Sequence, residues 1–110
     1  MQFNARVEDG YTIVRLSGRL DTVTAPECEL KFRALLADDL HVVLDFDGPD
    51  YISSAGLRSL LVMSDLVSEK NGRMCLANLN PNVRSLFDIS GCKRALETKD
   101  SVEEAIAAVS

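Results

Sequence analysis

HVVLDFDGPDYISSAGLRSLLVMSDLVSEKNGRMCLA, His41 to Ala77, is the stretch that decides the fold. Its opening residues, His41-Val42-Val43-Leu44-Asp45-Phe46, are mostly apolar and β-branched and do not alternate. A run of that kind reads as a central strand covered on both faces. Gly48-Pro49-Asp50 is expected to break it. Residues 54–70 carry the longest helical pattern in the chain, stopped by Asn71-Gly72 where a left-handed cap is usual. Met74-Cys75-Leu76-Ala77 is then a short buried strand. Strand, helix and strand in this order form the repeating unit of a parallel sheet.

The flanks extend the pattern. Phe3, Ala5 and Val7 alternate with Asn4, Arg6 and Glu8, which predicts a half-buried strand. Asp9-Gly10 is a two-residue hairpin signal. Residues 11–17 are rich in strand formers and should pair antiparallel with the first strand, with Gly18 ending the hairpin. Thr24-Ala25-Pro26-Glu27 reads as a capping box, followed by Cys28, Phe32, Leu35 and Leu36 on one helical face. Asn80-Pro81 opens a further helix that buries Val83, Leu86 and Phe87 and closes at Gly91. Residues 95–98 suit a short edge strand. Ser101-Val102-Glu103-Glu104 is a second capping box, before an apolar stripe of Val102, Ala105, Ile106 and Val109. The order ββαβαβαβα predicts one α/β domain over residues 1–110. Its sheet should be mixed but mostly parallel, with an N-terminal β-hairpin and helices packed on it.

Composition narrows the function classes. With 12 Lys+Arg against 17 Asp+Glu the net charge is −5, which argues against nucleic acid because phosphate binding needs a basic surface. The chain is 46% apolar and 26% charged, the balance of a soluble globular domain that buries enough surface to need no staple. Its longest apolar runs, Leu60–Met63 and Ala105–Val109, fall far below the ~20 residues of a membrane span. Met1–Arg6 has no apolar segment of the secretory type. Cys28, Cys75 and Cys92 are odd in number and lack Cys-x-x-Cys spacing, so they read as small buried thiols in a reducing cytoplasm. No Gly-x-x-x-x-Gly-Lys loop is present. No cofactor, metal or catalytic group is expected.

On the long helix, Leu57, Leu60, Leu61, Met63, Ser64, Leu66 and Val67 share a wide arc that must face the sheet. Arg58, Val62, Asp65 and Glu69 form a narrow opposite stripe with Ser54 at its head, and Ser53 lies on the core side. Ser53 therefore reads as an N-cap, a role also open to Ser54. A solvent-facing Ser54 could carry a phosphate, since free N–H groups and the dipole at a helix start favour an anion. Phosphorylation would add about −1.5 to −2 charges there. Val62 is an apolar residue stranded among polar ones. Asp21, after Gly-x-Leu, reads equally as a turn acceptor or as part of a partner site. His41, with no other ligand type near it, reads as structural. Val42–Asp47 ends in Asp-x-Asp, as at the start of haloacid-dehalogenase-like phosphatases. Gly48-Pro49 follows where that motif continues to Thr or Val, so the acidic residues Asp45, Asp47 and Asp50 read as a solvated rim at the strand's C-terminal end.

Asp50-Tyr-Ile-Ser-Ser-Ala-Gly-Leu57 resembles the phosphoserine motif of bacterial anti-sigma factor antagonists, the anti-anti-sigma members of the STAS (sulfate transporter and anti-sigma antagonist) domain family. Ser17-Gly-Arg-Leu-Asp21 resembles that family's G-x-L-D loop, and Leu86-Phe-Asp-Ile-Ser-Gly91 its L-F-D-x-S-G helix end. The resemblance spans the whole chain and implies a single STAS domain. It places the phosphoacceptor on Ser54, a loop aspartate near the acceptor on Asp21, and on Gly56 the glycine that lets a partner approach the helix start. Ser53 and Ala55 stand where the family's archetypes carry Asp and Ser or Thr, which leaves Ser53 as a second possible acceptor. Arg58 stands in place of a small residue. The implied function is that of a cytoplasmic anti-sigma factor antagonist, not an enzyme. Unphosphorylated, it would bind an ATP-binding anti-sigma factor with serine kinase activity and free a sigma factor; phosphorylation of Ser54 would switch it off. A PP2C-like phosphatase fits the reverse step, and no nucleic acid, membrane or small-molecule substrate is implied. The alternative is a STAS module in a different kinase–phosphatase signalling complex. Ser54, Arg58, Val62 and the loop around Asp21 should form one docking face. Residues 45–57 hold no Arg or Lys to recruit the phosphate, so it is expected to act locally, at the interface.

Overall fold

Asp9 and Gly10 both take positive φ, +52° and +84°, and so close a tight hairpin between β1 (Gln2–Glu8) and β2 (Tyr11–Leu20). The structure is a computed structural model describing residues 2–91 and 96–110, with Pro49 and Asp50 described by backbone alone. Cys92 and the start of the expected 95–98 strand lie outside the described residues. After β2 come α1 (Ala25–Arg33), β3 (His41–Ile52), α2 (Ser54–Glu69), β4 (Arg73–Ala77), α3 (Pro81–Ser90), β5 (Thr98–Lys99) and α4 (Val102–Val109). The sheet order is β1-β2-β3-β4-β5, antiparallel in the hairpin and parallel elsewhere.

Alternation in the central strands sorts two cores. Val14, Leu16, Val42, Leu44, Phe46 and Leu76 point to the face covered by α1, α2 and α3. Ile13, Val43, Cys75 and Ala77 point to the other face, closed by Ala105 and Val109 of α4. Val42, Val43 and Leu44 are all fully buried, as a strand between two layers requires. His41 is structural: its Nδ1 bonds the Val109 carbonyl and its ring meets Tyr11 edge-on. Among the described residues no helix is long and apolar enough to cross a membrane.

Four expectations are corrected. The first strand is an edge strand with Val7 exposed, and of its apolar residues Phe3 alone is partly buried. Gly18 does not end the hairpin; it takes φ +93° within β2, next to a shift in register with β3. Gly48-Pro49-Asp50 does not break β3. The strand carries one extra residue at each of two bulges there, which absorb residues a regular ladder would reject. Asp45 and Asp47 therefore lie mid-strand and not at a C-terminal rim. Asp45 Oδ1 accepts from the Asp47 amide and from Asn78 Nδ2, both at 3.0 Å, and Asp47 pairs with Arg15 at 3.6 Å.

Candidate functional site

β2, β3 and β4 end at Leu20, Ile52 and Ala77, and α1, α2 and α3 begin a few residues later. Parallel pairing puts these three strand ends, and the helix starts after them, at one edge of the sheet. Open α/β sheets carry their sites at that edge.

The two serines divide there. Ser53 is the N-cap of α2, extended at φ −92° and ψ 174°. Its Oγ accepts from the Gly56 amide at 3.2 Å, and its own amide donates to the Leu20 carbonyl at 2.9 Å. Ser54, the first helical residue, is exposed and makes no side-chain hydrogen bond among the described residues. Gly56 is buried; a Cβ built on it would lie 2.6 Å from the Leu20 carbonyl oxygen. The close approach it permits inside the molecule is between α2 and the end of β2.

Asp21 organises the neighbouring loop. Its Oδ1 accepts from the amides of Val23 and Thr24, each at 3.0 Å, and its Oδ2 lies 3.6 Å from Arg19. The Thr24 amide, first among these bonds, holds the carboxyl below its ordinary range against the opposing effect of desolvation. The capping box expected at Thr24 does not form. Thr24 sits in a helical conformation with its hydroxyl turned back to the Arg19 carbonyl at 2.7 Å, so Asp21 takes over the helix start. Arg19 also stacks over the Tyr51 ring, 4.1 Å from its centroid.

Arg58 is exposed one turn after Ser54, as expected. Val62 is half-buried and not stranded in solvent. A groove of about 560 Å³ runs between α1 and α2, and its walls include Ser54, Arg58, Thr22, Leu30 and Arg33. Beneath it the buried Ser59 hydroxyl donates to Glu29 Oε2 at 3.0 Å, and Arg33 reaches Glu29 Oε1 at 3.5 Å. Leu30 and Arg33 were not singled out in the sequence, although Leu30 departs from the Cys28–Phe32 face. The groove's lining joins Ser54 to two guanidinium groups: Arg58, just past residues 45–57 on the same helix, and Arg33, which no spacing along the chain places there. Among the described residues no three His, Cys, Asp or Glu side chains gather as a metal site.

The STAS domain profile matches residues 2–105. BtrV of Bordetella bronchiseptica, provisionally named an anti-sigma factor antagonist, is 37% identical over 101 residues, 91% of this chain and 87% of BtrV. The anti-sigma F factor antagonist of Paenibacillus polymyxa is 29% identical over 108 residues, 96% of this chain and 92% of that protein. The crystal structure of an anti-sigma factor antagonist from Mycobacterium paratuberculosis superposes with a TM-score of 0.88 at 25% identity, covering 98% of this chain and 92% of that one. With the profile running from Gln2 to Ala105 and the fold kept throughout, this chain belongs to the STAS domain family.

Proposed function

We propose that this chain is an anti-sigma factor antagonist. Its unphosphorylated form binds an anti-sigma factor with serine kinase activity and so frees a sigma factor, and phosphorylation of Ser54 ends that binding. It acts in the cytoplasm, as one domain. The names of its relatives support the first part. The division of labour between the serines carries the second: Ser53 Oγ is engaged as a cap, while Ser54 Oγ is exposed at the same helix start.

The kinase holds the ATP. Ser54 Oγ attacks the γ-phosphorus, the bond to the β–γ bridging oxygen breaks, ADP leaves, and the hydroxyl proton passes to a base on the kinase. The product carries about two negative charges on a surface the partner must cover. The partner must desolvate that charge, and any acidic group opposite repels it, so affinity should fall by orders of magnitude. A PP2C-like phosphatase restores the hydroxyl.

The test is incubation with the cognate kinase and ATP, with phosphosite mapping by mass spectrometry and an assay of sigma factor release. Phosphate should appear on Ser54, and Ser54→Ala should block it and keep sigma factor free. Full-rate phosphorylation of Ser54→Ala, with the label on Ser53, would overturn the assignment. Phosphorylation at Ser54 by a kinase that holds no sigma factor would place the chain in a different signalling complex.

A further inference from the structure

We infer that the groove between α1 and α2 receives an acidic segment of the anti-sigma factor, with an apolar side chain against Leu30 and a carboxylate on Arg58. A phosphate on Ser54 closes this site by taking Arg58 for itself. The inference rests on the functional reading above and names how the partner is read.

The groove's size and lining come first. At about 560 Å³ it has room for more than one partner side chain. Ala25, Pro26, Leu30 and Ala55 give it apolar walls. Leu30 is 70% exposed, on a helix whose inward face is already filled by Cys28 and Phe32. Val23, 83% exposed, stands just before the same helix. Apolar side chains left in water beside a groove mark a surface that another chain covers.

Charge decides the occupant. The molecule as a whole is at −5, yet the groove holds two guanidinium groups and one carboxylate. That carboxylate, Glu29, is already engaged by the Ser59 hydroxyl and by Arg33. Arg58 is exposed and belongs to no ion pair among the described residues. A local cation without an anion, beside an apolar wall, complements a segment that carries a carboxylate next to an apolar residue. A basic segment would meet repulsion there.

Position then links the groove to the switch. Ser54 and Arg58 are four residues apart on α2, the spacing at which helical side chains meet. A phosphate on Ser54 and a partner carboxylate compete for the same guanidinium. The phosphate, with more charge and no association entropy to lose, wins.

The test measures binding of the purified kinase to wild type, Arg58→Ala, Arg58→Glu, Leu30→Asp and Arg6→Ala, with melting temperatures taken alongside. Arg58→Ala should weaken binding about tenfold and Arg58→Glu about a hundredfold, as expected for loss and reversal of a charge-assisted contact. Leu30→Asp should weaken it at least tenfold at unchanged melting temperature, since Leu30 is exposed. Arg6→Ala, on the far edge strand, should bind as wild type. If wild type binds and is phosphorylated on Ser54 while the Arg58 and Leu30 variants bind equally well, the groove is not the site and the functional reading stands. Tighter binding by Arg58→Glu would mean a basic segment and would also overturn the inference. Failure of wild type itself to bind or be phosphorylated would sink the functional reading instead.

Discussion

Ser53 and Ser54 are chemically identical neighbours whose fates are set by backbone conformation alone. Ser53 is extended and turns its oxygen onto the Gly56 amide; Ser54 is helical and turns outward. Ser53→Ala should therefore cost about 1 kcal/mol in denaturant unfolding, and Ser54→Ala should stay within about 0.5 kcal/mol of wild type. Equal losses would contradict the division. Asp21 offers a second check. Its folded pKa lies below the ordinary 3.8, chiefly through the Thr24 amide. The ordering it gives is therefore complete above 3.8 and is lost as pH falls through the lower, folded value. Amide shifts of Val23 and Thr24 should titrate with a midpoint below 3.8 and lose that transition in Asp21→Asn; a midpoint at or above 3.8 would refute the loop's geometry. The serine pair was legible because a cap is a local rule. Leu30 and Arg33 were not, because their place beside Ser54 comes from α1 packing on α2, a relation that no spacing along the chain records.

At the scale of the element, helices with side-chain caps were the easiest to read. Ser53, Asn80 and Ser101 each accept from an amide three residues on, as their positions require. Thr24 failed because a better acceptor, Asp21, sat three residues before it. β3 failed differently. Gly48 and Pro49 are breakers by propensity, yet pairing with β2 overrides propensity, and a Cβ at position 48 would lie 2.2 Å from the Leu16 carbonyl oxygen. The glycine is there because two strands press together, so it marks contact where a local reading sees an end. Gly56 is the same device at the foot of α2. Gly56→Ala should cost roughly 1–3 kcal/mol as α2 lifts from Leu20. An alanine variant as stable as wild type, with the Ser53 cap intact by amide shifts, would contradict the packing.

For the whole molecule, fold class followed from one βαβ unit with two different periods, and the register of each strand followed from which residues had to face α4 and which the other helices. Burial in those cores pushes Cys28 and Cys75 up to about 11 from 9.0. A raised value of this kind gives stability that is full below 9.0 and lost as pH climbs through 11. The alkaline fall in melting temperature should be shallower in a Cys28→Ala, Cys75→Ala double variant; an identical slope would argue that the thiols are not sealed. The sheet order, identical to the chain order, has a consequence for synthesis. Each strand leaving the ribosome finds its neighbour already in place, so the sheet can be laid down row by row as translation proceeds. α4, the lid over Ile13, Val43, Cys75 and Ala77, follows all five strands in the chain. A variant that ends before Ser101 should therefore label at Cys75 with a thiol reagent, and the chain that carries α4 should not. Equal labelling of both would mean that the seal forms without α4.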